Sequence, residues 1–321
     1  MTDHPLVSVI VPTYHRPEMM RAAVTSVLGQ ELTEGSLEVI VAVSDRDSST
    51  DRRAADDLAA TDPRVRVVVA GRLGPGAARN AAMSVARGSI FAFTDDDCEA
   101  SPGWVQAGVD ALRSVDIVQG RTVLTEPRST RMMRGISVDG ISHLWQTCNL
   151  FVRRSAVDKV GGFDEEWNPT GRPGGHWGED TEWGSRLVRS GATYVFAPNA
   201  EVRHAVTARS LSGLLTHKLN LRFFPMLIRR APETRRHLYA KYFLNRQHAT
   251  LTASLGLVAG ASVAAALGST PLAIVGFVTG GIAALWPIQR SPVATLVSTA
   301  NELVSYAVVV YGSVRYRRLV L

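Results

Sequence analysis

Cysteine is scarce: Cys98 and Cys148 are the only two in the chain, with no CxxC pair and no Cys/His cluster at zinc-binding spacing. That excludes a disulfide framework and a structural zinc site, and it fits a reducing cytoplasm. The opening residues Met-Thr-Asp-His-Pro lack the basic and apolar regions of a signal peptide, so none is expected. A dinucleotide fingerprint is also missing. Gly74 and Gly76 imitate its start, but Arg79 stands where the third glycine belongs. Acid is almost absent from the C-terminal third. Between Arg203 and His248 ten Lys/Arg stand against Glu233, and beyond that segment four Arg stand against Glu302.

The overall net charge of +6 therefore hides two regions of opposite sign. Residues 1–202 carry 21 basic and 27 acidic residues, a net of −6, and a basic collar follows. Such a collar beside apolar segments points to anionic lipid headgroups rather than nucleic acid, or else to a solvated basic helix. A length of 321 residues allows about two domains at ~100–200 residues each. Hydrophobic residues, at 45%, suffice for a sizeable core.

Along the first 200 residues, strand and helix patterns alternate. Val7-Ser-Val-Ile-Val11, Glu38 to Val43 and Val65 to Ala70 read as buried parallel strands. Met20, Ala23, Val24, Val27 and Leu28 fall on one helix face. Helices are also predicted from the polar run Ser44–Asp51 to about Ala60, and after Gly71–Asn80. Ser101-Pro102 reads as a cap with proline at the first helical position, opening a helix to about Arg113. Residues 125–142 read as a surface loop, Asn149 to Arg153 as a strand, and Gly178 to Ser190 as a helix. Ala192 to Pro198 and Ala200 to His204 read as two short strands. This alternation is that of an α/β domain wound on a largely parallel sheet.

Beyond residue 203 the character changes. Ala249–Gly268 and Pro271–Ile288 carry no charge. Each is about long enough to cross a ~30 Å hydrocarbon core. Read together they form a membrane hairpin with both ends on the cytoplasmic side; the alternative is two buried soluble helices. Val293–Gly312 holds Asn301 and Glu302 and reads either as a third span or as a helix lying in the interface.

Chemistry concentrates at a few points. The apolar strand Ile90 to Phe93 runs into Asp95-Asp96-Asp97. Three adjacent acids at the carboxyl end of a strand are placed to hold a hard cation that bridges to phosphate, or form a solvated turn. Glu179-Asp180 opens a helix, as acid–base machinery or simply as a cap. His204 ends a strand, and a lone histidine is more often structural.

Taken in order, Val9-Ile-Val-Pro-Thr-Tyr14, Asp47-Ser-Ser-Thr-Asp51, Gly76-Ala-Ala-Arg-Asn80, Phe93-Thr-Asp-Asp-Asp-Cys98, Gly161-Gly-Phe-Asp164, Gly178-Glu-Asp180 and His204 resemble family 2 glycosyltransferases. The resemblance covers about residues 1–210. It implies a GT-A fold (a Rossmann-like nucleotide-binding mixed sheet), a nucleotide-diphosphate sugar donor, Mg²⁺ or Mn²⁺, and inversion at the anomeric carbon. By the same resemblance Pro12, Thr13 and Tyr14 lie by the nucleoside, and Arg79 lies near the donor's phosphates or ribose. Asp95 and Asp97 match the outer acids of a DxD motif, Asp97 as the direct metal ligand, with Asp96 between them on the donor side. Asp180 matches the catalytic base with Glu179 beside it, and His204 matches a position that helps hold metal. The run Ser44–Asp51 is longer than the family's Asp-Asp-Gly-Ser-Thr-Asp, so Asp45 and Asp47 both compete for the base-binding role. The Gln-x-x-Arg-Trp motif of processive synthases is absent, which favours transfer of a single sugar.

The expected organisation is a catalytic domain over 1–210, a basic amphipathic collar over 211–248 and membrane or interfacial helices over 249–321. The expected function is inverting, metal-dependent sugar transfer to a hydroxyl of a lipid-linked or cell-envelope glycan. The enzyme would sit at the plasma membrane with its catalytic domain in the cytoplasm. Its partners would be the donor, the acceptor and membrane lipids, and not nucleic acid. The alternatives are transfer to polyprenyl phosphate, or an inactive membrane scaffold.

Overall fold

The apolar run after Leu6 becomes β1 (Val7–Thr13), buried on both faces because helices cover both sides of the sheet. The computed structural model describes residues 6–44, 50–70, 74–127, 133–167, 177–208, 210–269 and 292–320. Parallel to β1 run β2 (Leu37–Ser44), β3 (Val65–Ala70) and β4 (Ile90–Thr94). Between them lie α1 (Pro17–Leu28), α2 (Thr50–Thr61) and α3 (Pro75–Val85). Alternation sorts the side chains. Val7, Val9 and Val11 join the core under α1 and α2, while Ile10, Phe91 and Phe93 join the core under α3.

Past β4 the sheet becomes mixed. The elements are β5 (Cys98–Ala100), α4 (Trp104–Leu112), β6 (Ile117–Leu124), β7 (Met133–Arg134), β8 (Asn149–Arg153), α5 (Arg154–Val160), α6 (Glu179–Arg189), β9 (Tyr194–His204) and β10 (Thr207–Ala208). The eight-stranded order is β3-β2-β1-β4-β8-β6-β9-β5, and β7 pairs with β10 in a separate ribbon. Strand β8 is antiparallel to β4 and to β6, and β5 is antiparallel to β9.

Three sequence expectations change. The two short strands expected around Pro198 are one strand, β9, which follows β6 through a register shift between Gly120 and Arg121. The residues after the acid triplet form β5, pairing Cys98 with His204. The following helix begins at Trp104 rather than at Pro102. Gly103 at φ 80° turns the chain, and the fully buried Trp104 donates its indole N–H to Asn149 Oδ1 at 2.9 Å.

Residues 1–210 and 211–321 form two compact units. The second holds α7 (Leu211–Asn220), α8 (Phe224–Arg230), α9 (Arg246–Ala266) and α10 (Pro292–Arg315), with 3₁₀ turns at Leu221–Phe223 and Pro232–His237. The expected C-terminal membrane region is not supported: among the described residues no helix is long and apolar enough to cross a membrane. The polar content of the helices is the physical reason. In α9, Thr250, Thr252, Ser254 and Ser262 donate to carbonyls four residues back, and Thr252 also reaches Tyr306. Mid-helix, α10 carries Asn301 and Glu302. The second expected span, Pro271–Ile288, lies outside the described residues.

Close packing beneath the sheet is testable at Gly108 of α4, where a Cβ would overlap the ring of the fully buried Phe151. Gly108→Ala is expected to destabilise by ~1–3 kcal/mol, despite alanine's better helix propensity, as a lower denaturant midpoint at unchanged slope.

Candidate active site

Strands β1 and β4 are parallel neighbours paired from Val7 with Ile90 to Ile10 with Phe93, so the residues following each emerge side by side. Thr13 Oγ1 and the Tyr14 N–H both donate to Asp96 Oδ2, at 3.0 and 3.3 Å. Arg16 Nη1 reaches Asp96 Oδ1 at 2.9 Å and Asp97 Oδ2 at 2.5 Å. The loop itself is fixed by the buried Asp51 of α2. Its carboxylate accepts from His15 N at 2.6 Å and Arg16 N at 3.1 Å, while His15 takes a left-handed φ of 57°. The acid triplet is equally constrained. Cys98 N–H closes a turn onto Asp95 O, and Ala205 N–H donates to Asp97 O at 2.8 Å.

Asp96 is buried. Burial pushes its carboxyl up to about 6; Arg16 pulls it down, and Asp97 and Asp95 push it up again. In Arg16 burial works against the charge, but Asp96 and Asp97 outweigh it and raise the group above its usual range.

Arg79, on α3, ties this edge to the next. Its guanidinium lies 5.6 Å over the Phe163 ring. It meets Asp95 at 2.9 Å, Asp180 at 3.2 Å and Glu179 at 3.9 Å. Desolvation opposes its charge, yet the three carboxylates more than compensate and raise its pKa. Its Nε is buried without a hydrogen-bond partner.

The two acids at the start of α6 are placed by that helix's packing. Gly178 takes a left-handed φ of 76° before the first turn. Trp183, fully buried, stacks on Phe163 at 4.3 Å and donates to Gly161 O at 3.0 Å. Asp180 Oδ2 accepts from Thr147 N at 3.2 Å and Thr147 Oγ1 at 3.0 Å. A quarter of the Asp180 side chain stays open to solvent while protein surrounds the rest. Burial raises its carboxyl to about 7, with Arg79 pulling down and Glu179 and Asp95 pushing up. Glu179 is raised as well, first by burial.

His204 ends β9 opposite Cys98. Its Nδ1 lies 2.8 Å from the Ala205 carbonyl, which can only accept, so Nδ1 carries the proton. That turns Nε2 toward Asp97 Oδ1 at 3.6 Å. With Cys98 Sγ, these ligand atoms all lie within 4.8 Å of one another. An imidazole nitrogen beside a carboxylate oxygen is a donor set that suits a divalent cation, so the residues fit the metal that the resemblance implies.

Thr13, Tyr14, Arg79, Asp95, Asp96, Asp97, Glu179, Asp180 and His204 are thus gathered at one sheet edge. Pro12 is half-buried at the end of β1, and Tyr14 is exposed. Asp45 and Asp47 lie outside the described residues. Three further residues shape the site: Arg16, Asp51 and Thr147. Arg16 is the one cation in the β1 loop and Asp51 closes a motif already noted, so both carried a signal. Thr147 carried none.

The carboxyl-terminal edge of this mixed sheet thus gathers a buried arginine and two acid groups. Residues 8–164 match the model for "Glycosyl transferase family 2". Glu179, Asp180 and His204 lie beyond the matched stretch. The chain is 28% identical over 207 residues to the glycosyltransferase AglE of Haloferax volcanii, covering 60% of this chain and 64% of that one. It is 33% identical over 102 residues to the GalNAc(5)-diNAcBac-PP-undecaprenol beta-1,3-glucosyltransferase of Campylobacter jejuni, covering 31% and 32%. The chain thus spans less than two-thirds of the length of these relatives. The solved mannosyltransferase PcManGT of Pyrobaculum calidifontis, in complex with GDP-Man and Mn²⁺, shares the fold at TM-score 0.57 and 16% identity, over 98% of this chain and 88% of that one.

The Thr147 contact offers a test of the electrostatics. Removing its hydroxyl takes a donor from the ionised form of Asp180 and raises that pKa further. Thr147→Val is expected to move the acidic limb of the pH–rate profile upward by about one unit, read as kcat/KM between pH 5 and 9.

Proposed function

We propose that the protein is an inverting, metal-dependent glycosyltransferase that moves a sugar from a nucleotide-diphosphate donor to a hydroxyl of a lipid-linked or cell-envelope glycan. The observation that carries the proposal is Asp180. It is a carboxylate with a pKa near 7, held by Thr147 and set across Arg79 from the acid triplet.

A sugar hydroxyl is a weak nucleophile and needs a base of matched pKa within reach, worth typically ~10²–10⁴-fold. Asp180 takes that proton, and Glu179 keeps the local charge high enough for Asp180 to accept it. An already ionised polyprenyl-phosphate acceptor needs no such base, so the tuned carboxylate favours the hydroxyl. Thr13 and Tyr14 line the nucleoside side of the edge, where Asp45 or Asp47 would bind the base. Arg79 holds Asp95 beside the donor's phosphates. Asp97 and His204, with Asp95 nearby, would hold Mg²⁺ or Mn²⁺, which supplies charge compensation for the departing nucleoside diphosphate.

The lipid-linked acceptor is supported by the undecaprenol-linked substrate in the name of the Campylobacter relative. The basic segment 211–248 supports contact with anionic headgroups, which would bring the catalytic domain to such an acceptor on the cytoplasmic side of the plasma membrane.

The base must be ionised to act. The rate is therefore expected to rise about tenfold per pH unit below about 7 and to level off above it. Asp180→Asn is expected to lose ~10²–10⁴-fold in kcat and to abolish that limb, with donor binding retained. Asp97→Ala is expected to lose Mn²⁺ binding, measured by calorimetry, together with turnover. Full activity of both variants on a screen of UDP-, GDP- and dTDP-sugars would exclude the mechanism.

A further inference from the structure

Asp97 is shared. One carboxylate oxygen faces His204 Nε2 at 3.6 Å, and the other is held by Arg16 Nη1 at 2.5 Å. The same Arg16 nitrogen also reaches Asp96 Oδ1. A guanidinium on one oxygen of Asp97 and a divalent cation at Asp97 and His204 are like charges a few ångströms apart, and both draw on a single carboxylate. Their repulsion in a partly desolvated site is large against thermal energy.

Two observations separate Arg16 from the other arginine of the site. Its side chain is 30% exposed, whereas that of Arg79 is 4% exposed, so Arg16 has room to turn away and Arg79 does not. Its backbone is anchored independently of its head group, by Asp51 on the Arg16 N–H and the His15 N–H. The guanidinium can therefore leave Asp97 without dismantling the loop. Asp96, held by Thr13 and Tyr14 as well, keeps its orientation without it.

We propose that Arg16 is a positioning residue that competes with the divalent cation for Asp97, and that it thereby keeps metal affinity low. The inference rests on the metal reading above and adds a regulator to it. Arginine on the first loop would hold the cation site weak until the negative diphosphate of a donor draws the cation in.

The test is an electron-paramagnetic-resonance titration of the full chain with Mn²⁺ alone, with thermal melting as the check on folding. Arg16→Ala and Arg16→Gln are expected to bind Mn²⁺ on the order of tenfold more tightly than wild type, a gain that structural damage does not produce. Arg16→Lys keeps the charge and is expected to stay close to wild type. Unchanged or weaker Mn²⁺ binding by both neutral variants, with wild-type binding intact, overturns the proposal and leaves the metal site standing. If Arg16→Ala fails to fold, the larger, polar Arg16→Gln decides alone. Absence of Mn²⁺ binding in wild type and in both neutral variants overturns the proposal and the metal reading together.

Discussion

Everything at this sheet edge depends on one buried cation. Arg79 is 3% exposed and serves Asp95 from β4 and the Asp180 and Glu179 pair from α6. Without it these carboxylates would repel one another in a poorly solvated space. With it they can be brought within a few ångströms. Removing one partner of such a buried pair typically costs ~3–5 kcal/mol, because the charges left behind are uncompensated. The helix α3 that carries Arg79 must therefore stay close to both elements. Its small residues Ala78 and Ala82, buried against β1 and β2, keep it there.

A single guanidinium cannot neutralise three acids, and the imbalance shapes the chemistry. Asp180 is left with burial and a like-charged neighbour outweighing Arg79, which lifts it to about 7. A fully compensated aspartate would remain ionised far below neutrality and would be a feeble base. The same incomplete pairing recurs across the site, where Arg16 faces both Asp96 and Asp97. With every carboxylate ionised, two negative charges are left over around Arg79 and one around Arg16, which suits one side to a proton and the other to a metal.

The sequence disclosed these groups because adjacent charged residues at strand and helix ends are costly and therefore conspicuous. Asp95 to Asp97 follow an apolar run, and Glu179-Asp180 follow a glycine. The parallel strands were equally plain, since Val9 to Val11 and Val39 to Val43 are apolar on both faces. Other features leave no local mark. Thr147 acts through the tertiary position of its loop, and β5 is three residues whose pairing with β9 depends on a distant segment. The helical unit misled for a different reason. A window without charge reads as membrane-spanning even when threonine and serine hydroxyls lower its apolar character, as they do in α9. Charge is easily counted along a chain, whereas the net cost of hydroxyls that bond back to their own helix is not.

The mixed sheet explains how both halves of the site reach one edge. In a wholly parallel sheet, every strand would deliver its carboxyl end to that edge and its amino end to the other. Here β8 runs against β4, with Asn149 opposite Thr94, so the residues entering β8 arrive where the acid triplet leaves β4. That reversal brings Thr147, two residues before β8, to Asp180. A second reversal pairs β5 with the end of β9 and sets Cys98 opposite His204, beside Asp97. The parallel half of the sheet thus supplies the β1 loop and the acid triplet at its carboxyl edge, where such sheets commonly bind ligands. The antiparallel half brings in Thr147, which holds Asp180, and His204, which faces Asp97. Neither half alone presents both Asp180 and the Asp97–His204 pair, which is why the site extends past Asp164, where the family match ends, to Asp180 and His204.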